Sequence, residues 1–167
     1  KDTGILILKK NITGVDKYNN IIKTEFAKYI EETKIFTTLG LTKISTAENY
    51  IIESSDITLD NSKRRIFSEK KTTVTDQDNN KIFVDNFDFE TENSIFKSIG
   101  NIEIFDNKDN KYQFSQVYID TTKKEILGTD IKSYLNNQEF KIDKRNKPRI
   151  FANTLKMSKK TTEFNKS

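Results

Sequence analysis

The sequence predicts an all-β fold. It reads as a repeated-hairpin β-jellyroll, a folded open sandwich or solenoid built from units of about 30 residues. Three observations carry that expectation. Apolar residues follow the two-residue period of strands rather than helical spacing, as at Ile57/Leu59 and Val117/Ile119. The pattern recurs: steps of 30 residues carry Ile82 back onto Ile52 and Ile22, and forward onto Tyr112 and Ile142. Asn19, Asn49, Asn79 and Asp109 return at the same interval as turn formers, because Asn and Asp tolerate left-handed backbone and hydrogen-bond their own chain.

Taken in order, Gly4 to Leu8 is continuously apolar, which suits a strand buried on both faces or stacked inside an array. Asp16 to Asn20 is a turn. Ile21 to Ile30 and Ile35 to Ile44 form the two halves of the first full unit, with Gly40 at a bulge or bend. The next unit runs from Ala47 to Val74 and is broken by the basic turn Ser62 to Arg65. The third, Lys81 to Phe105, is the clearest: Ile82, Val84, Phe87 and Phe89, a polar breaker, then Ile95, Phe96, Ile99, Ile102 and Ile104. A fourth spans Tyr112 to about Tyr134. The anchor pair Ile95–Phe96 aligns with Ile5–Leu6, Ile35–Phe36, Ile66–Phe67 and Ile126–Leu127, at steps of 30, 31, 29 and 31.

Within each unit the apolar alternation slips once. The step from Val84 to Phe87 is three residues, as it is from 54 to 57 and from 114 to 117. A recurrent change of parity implies a kink or β-bulge in every unit, here through Asp85–Asn86, which would fold a ribbon of strands into two facing sheets. Ala27, Tyr29, Ile57, Leu59, Phe87, Phe89, Val117 and Ile119 then form the inward set. Past Asn136 the pattern fades. Phe140 and Ile142 keep the register, but Arg145 to Arg149 with its proline marks an edge or exit, and Ile150–Phe151 starts a last strand. The expected division is a jellyroll domain over 1–145 and an exit segment over 146–167, with both ends cut from something longer.

Composition narrows the chemistry. An apolar fraction of 34% with 32% charged residues is low for a globular chain, but disordered chains lack such regular alternation. The net charge of +4 points only weakly to an anionic partner, and no run of Lys/Arg interleaved with aromatics marks a nucleic-acid binder. The absence of Cys and His excludes thiol catalysis, a Ser–His pair and metal sites built on those ligands. No apolar run approaches the ~20 residues of a membrane helix, and no stretch of these residues reads as a signal peptide. Asp76, Asp78 and Asn80 spell the start of a calcium loop, but Lys81 and Phe87 stand where the loop needs its Gly and its bidentate Glu. A hairpin turn is the better reading. Glu25, Glu31, Glu32, Glu90 and Glu92 fall in turns or on outward positions rather than facing one another as a glycosidase pair. No catalytic residue, metal site or cofactor is assigned, and no enzymatic activity is expected.

The units FAKYIEETKIFTTLG, SSDITLDNSKRRIFSE, DNFDFETENSIFKSIGNIEIFD and SQVYIDTTKKEILG resemble the repeats of OstA-like domains. These occur in the lipopolysaccharide-transport proteins LptA, LptC and LptD, and FKIDKRNKPRIFANTL is similar to the segment that leaves this domain in LptD-like proteins. The cysteines that many LptD-like proteins carry are missing. The resemblance implies the periplasmic N-terminal domain of an outer-membrane protein, cut before a barrel. It implies a greasy interior that carries the acyl chains of lipopolysaccharide, lined by the inward set, which pattern alone makes an ordinary packed core. It further implies an LptA-like bridge partner joined by edge-strand addition near Gly4 to Leu8, and an LptE-like lipoprotein met through the missing barrel. The basic turn Lys63, Arg64, Arg65 is a candidate for lipid phosphates. Two other classes compete: a structural β-solenoid of an adhesin or envelope stalk, and a carbohydrate-active β-helix enzyme, for which no aligned carboxylate cluster is visible.

Overall fold

Each unit is a pair of long strands bent at mid-length, so that one antiparallel meander folds over on itself into two layers. The computed structural model describes residues 4–136 and 148–166. Among these the strands run β1 (Ile5–Val15), β2 (Ile21–Ile30), β3 (Ile35–Thr38), β4 (Leu41–Ser45), β5 (Ile51–Ser55), β6 (Thr58–Asp60), β7 (Arg65–Ser68) and β8 (Thr72–Thr75). They continue as β9 (Lys81–Val84), β10 (Phe87–Glu90), β11 (Ile95–Phe105), β12 (Lys111–Asp120), β13 (Glu125–Tyr134), β14 (Arg149–Met157) and β15 (Thr162–Asn165). Ile21–Thr24 of β2 pairs with β4, whereas its Ala27–Ile30 pairs with β3. In the same way β11 gives its Ile102–Phe105 end to β9 and its Ile95–Lys97 end to β10. One layer therefore holds β4, β5, β8 and β9, the other β3, β6, β7 and β10, and the long strands cross between them.

The turns follow the 30-residue step residue by residue. Asn19, Asn49, Asn79 and Asp109 all adopt positive φ, between 62° and 65°. At the other ends of the strands Lys34, Arg64, Ser94 and Lys124 do the same, between 53° and 57°. Asp16, Asp76 and Asp106 each cap their turn: one carboxylate oxygen accepts from the backbone two and four residues on, the other from the side-chain amide of Asn20, Asn80 or Asn110. Asp76 thus serves the hairpin. The side-chain oxygens of Asn20, Asn80 and Asn110 then accept from the backbone of Ala47, Asn107 and Asn136 in the next turn, at 3.1, 2.9 and 2.7 Å. These are bonds between stacked units, the nearest-neighbour coupling on which a repeat array depends.

The bends sit where the apolar parity changes. Gly40, Asp56, Gly100 and Asp130 have positive φ there, and Gly40 at +80° takes the bend expected of it. A bend frees backbone groups from the ladder, and side chains recover them. Asp56 Oδ1 accepts from Gly40 N at 2.9 Å, and Asn86 Nδ2 donates to Ile99 O at 2.7 Å. Inside the bend the residues alternate in size: Ala27, Ile57, Phe87 and Val117 on the leading strands face Thr38, Ser68, Ser98 and Gly128 on the returning ones. In the first units the seam is closed by hydroxyls, Thr42 to Thr38 at 2.8 Å and Thr72 to Ser54 at 2.7 Å. Further on, Val84, Ile102 and Phe114 fill it with hydrocarbon.

Two expectations are corrected. Ile5, Leu6 and Ile7 are 43%, 52% and 54% exposed, because among the described residues β1 pairs only with β2 and is an edge strand with no neighbour on its other side. The irregular anchor steps also resolve. Leu6, Phe36, Ile66, Phe96 and Ile126 share one inward row, so the interval is a uniform 30 and Ile66, not Phe67, points inward. The basic turn is neutralised within the sheet: Lys63 pairs with Asp60, Arg64 with Glu92, and Arg65 with both oxygens of Asp88. Glu25, Glu31, Glu32 and Glu92 lie on the surface, and half-buried Glu90 pairs with Lys97.

Phe140, Ile142 and Arg145, with the domain boundary expected there, lie outside the described residues. Beyond them β14 pairs with β13 along its length, and Leu155 enters the common core, so residues 149–165 continue the sandwich. Gly128 offers a sharp check on packing at the bend. A Cβ there would lie 2.2 Å from the Phe114 ring. Gly128→Ala should cost about 1–3 kcal/mol by overpacking, read by urea denaturation, and adding Phe114→Leu should recover most of that loss.

Candidate functional site

The space between the layers is the candidate site. Ten strands contribute one inward apolar row, Leu6–Tyr29–Phe36–Leu59–Ile66–Phe89–Phe96–Ile119–Ile126–Met157, each residue the cross-strand partner of the next. At ~4.8 Å per strand the row is about 43 Å long. It exists because strand alternation fixes the face, and the 30-residue step fixes the position along the array.

The row is filled at its centre and open at the β1 end. Phe87 and Phe96 stack with ring centroids 5.8 Å apart and planes within 4°. Phe89, Phe96 and Ile119 meet Tyr50, Ile52 and Val74 of the other layer around a void of only about 10 Å³, too small to hold even one water with comfort. Under β1 the layers part. Leu6, Leu8, Tyr29, Phe36, Leu59 and Ile66 line an apolar cleft of about 350 Å³ that reaches Ile22 and Ile44 on the facing layer. Gly14 helps to keep it open, as a Cβ at that position would come within 2.9 Å of the Ile22 side chain.

All eight residues of the expected inward set point inward, but they divide. Ala27, Ile57, Phe87, Phe89, Val117 and Ile119 are buried in the packed interior. Tyr29 and Leu59 are half-buried and line the open cleft. Leu6, Leu8 and Phe36 belong with those two and were not among the expected site residues. Their signal was present, since Leu6 and Phe36 occupy the recurring anchor position one step from Tyr29 in the row.

A second, smaller cleft of about 120 Å³ lies at one rim, between Tyr50, Ile82, Ile119 and Ile126 and the turn residues Asp76 to Asp78. Lys124 crosses it, donating to Gln77 Oε1 at 2.6 Å and tying the turns of the two layers. Burial, with smaller contributions from Asp76, Asp78, Glu48 and Asp120, pushes the Tyr50 phenol up to about 12. Among the described residues no group of His, Cys, Asp or Glu is arranged to hold a metal ion. No known family model matches the chain, and no curated protein matches it either.

Two outcomes follow from this geometry. Phe89→Ala should lose about 3–5 kcal/mol of stability as a packed core residue, whereas Leu59→Ala, at the open cleft, should lose about 1–2 kcal/mol. Equal losses in a denaturant series would mean that the cleft is closed in solution. Tyr50 should matter only in alkali. The folded phenol keeps its proton from pH 10 to about 12 while the unfolded one releases it, so stability falls as pH rises through that window and is unaffected below it. Tyr50→Phe should flatten that limb in thermal melts taken across pH 9 to 11.

Proposed function

We propose that this chain is a lipid-carrying β-jellyroll of the OstA-like type, the periplasmic part of an outer-membrane protein that takes lipopolysaccharide from a bridge protein and passes it to a barrel. The observation that carries this reading is the continuity of one inward apolar row with a cleft that opens beneath an edge strand. An acyl chain entering there gains roughly 0.8 kcal/mol per methylene buried, needs no covalent chemistry, and meets Tyr29, Leu59, Leu6, Leu8 and Phe36 first. Among the described residues one side of β1 has no strand paired to it over the same cleft, so a bridge protein adding a strand there would extend the row as it docks. The LptA-like partner, the LptE-like lipoprotein and the outer-membrane setting belong to this proposal and rest on the resemblance of the repeats.

In this reading lipid enters at the β1 end, and Phe87 and Phe89 form the closed floor of the lane unless the layers separate. A structural stalk is the competing reading. It is favoured by one observation, the filled centre of the sandwich around Phe89 and Phe96.

Site-specific photo-crosslinking with purified lipopolysaccharide separates the two. A probe replacing Tyr29 should label lipid strongly and one replacing Lys28, its outward neighbour on β2, should not. A probe replacing Leu59 should behave like the one at 29. Equal labelling at 28 and 29, or none at 29 and 59 in a protein with an unchanged melting profile, would sink the transport reading and leave the stalk.

A further inference from the structure

The strand register assembles on the outer surface something that no stretch of the sequence displays. Phe83, Glu103, Gln113, Lys132 and Phe151 come from β9, β11, β12, β13 and β14, and each is the cross-strand partner of the next. They form one stretch of an outward row that continues past Phe83 to Thr73, and a phenyl ring bounds the stretch on each side, 40% and 56% exposed. Four inter-strand steps separate the two rings, about 19 Å. Two residues along the strands, Lys81, Phe105, Lys111, Tyr134 and Arg149 form the adjacent outward row by the same pairings.

We infer that this outer face is a binding platform for an acidic oligosaccharide. It goes beyond the lipid reading and stands whether or not the interior carries lipid. The two terminal rings are the stacking stations. The electron-rich face of a phenyl ring attracts the C–H face of a sugar, and Phe83 is held by an edge-on contact with Phe105 at 5.8 Å. The other two aromatics are not offered in this way, because Lys111 lies over Phe105 at 5.4 Å and Arg149 over Tyr134 at 5.7 Å. Between the stations lie the groups that hydroxyls require. Glu103 Oε1 accepts from Gln113 Nε2 at 2.9 Å and from Lys111 Nζ at 2.6 Å. That arrangement orients the Gln113 amide and leaves its oxygen, among the described residues, as an acceptor without a protein donor.

Charge selects the class of sugar. Among the described residues Lys81, Lys132 and Arg149 have no carboxylate within ion-pairing distance, while Glu103, the one acid of these two sets of five residues, is already paired with Lys111. The face is therefore cationic. On the outer face of the opposite layer Arg65 and Lys97 are paired with Asp88 and Glu90. A mixture of donors and acceptors also discriminates against a nucleic-acid strand. A phosphodiester backbone needs donors alone, and a central carboxylate and amide oxygen would oppose it.

The test uses the whole chain. Oligogalacturonate, a heparin-derived oligosaccharide and a phosphorylated oligosaccharide are titrated against it, with neutral maltohexaose and oligo-dT as comparators. At least one acidic oligosaccharide should bind, more weakly as salt rises, and maltohexaose should not. Phe83→Ala and Phe151→Ala, both at exposed positions, should each raise Kd about five- to tenfold. Lys132→Gln should raise it and flatten the salt dependence, and Tyr118→Ala, on the other layer, should leave Kd unchanged. Binding to none of the three acidic probes would overturn the proposal. So would binding that Phe83→Ala and Phe151→Ala leave untouched, or tighter binding of oligo-dT than of any sugar.

Discussion

Everything in this molecule depends on the bend at the middle of each strand. A flat meander of these strands would show an apolar face to water along its whole length. The extra residue at each bend reverses parity, and that reversal lets both halves of a strand keep their apolar side chains on the same, inner side while the backbone turns between layers. Asp56 on Gly40 and Asn86 on Ile99 return hydrogen bonds that the bend removes from the ladder. Size alternation along the seam, Phe87 beside Ser68 and Val117 beside Ser98, lets the backbones come together where the layers meet. Bend, seam and core are thus one constraint repeated every half unit.

The repeats are alike in backbone and unlike in what they enclose. Near β1 the seam is threonine and serine, and the layers part around Tyr29 and Leu59. Towards β12 the seam is Val84, Ile102 and Phe114, and the interior is closed by Phe89, Phe96 and Ile119. Coupling between neighbours runs through the asparagine and threonine bonds of the turn columns, including Thr121 Oγ1 and Thr91 Oγ1 to the preceding turn's carbonyl oxygens at 3.0 and 3.1 Å. Through those columns the densely packed units can stabilise an open one. A cleft persists here because its units are held by their neighbours, not because its own walls pack against each other.

Much of this was legible in the sequence, and the limits have physical causes. Period-two alternation and the 30-residue step are local and additive, so the strand class, the turn columns at Asn19, Asn49, Asn79 and Asp109, and the inward direction of Phe87, Phe89 and their equivalents could all be read from the residues. The one-residue slip assigned to Ile66–Phe67 arose because both neighbours are apolar. Sequence pattern cannot choose between two adjacent apolar residues, whereas the pairing of Ile66 with Leu59 and Phe89 does. The apolar run of Gly4 to Leu8 suits a strand buried on both faces or stacked inside an array, and its pattern alone does not reveal the exposure of Ile5 to Ile7, because burial depends on neighbours that a strand's own sequence does not name. For the same reason Phe89 could be recognised as inward but not as filled, and Tyr29 as inward but not as open.

Register explains why the outer face was harder still to foresee. The 30-residue step that carries Ile82 onto Tyr112 also carries Phe83 onto Gln113, but residue type is not kept along it, and Phe151 lies off it, so no scan for basic and aromatic clusters could have joined them. Only the ladder does so. The same pairings that align Ile82, Ile104 and Tyr112 inside must align Phe83, Glu103 and Gln113 outside, since adjacent residues of a strand point to opposite faces. The packed half of the sandwich therefore carries the more elaborate exterior. Its filled core fixes the strands, and fixed strands hold Phe83 and Phe151 at a constant spacing, whereas the open half, with its parted layers, has an outer row of lysine, glutamate and threonine at Lys23, Lys43, Glu53 and Thr73. Interior packing and exterior presentation are two consequences of one register.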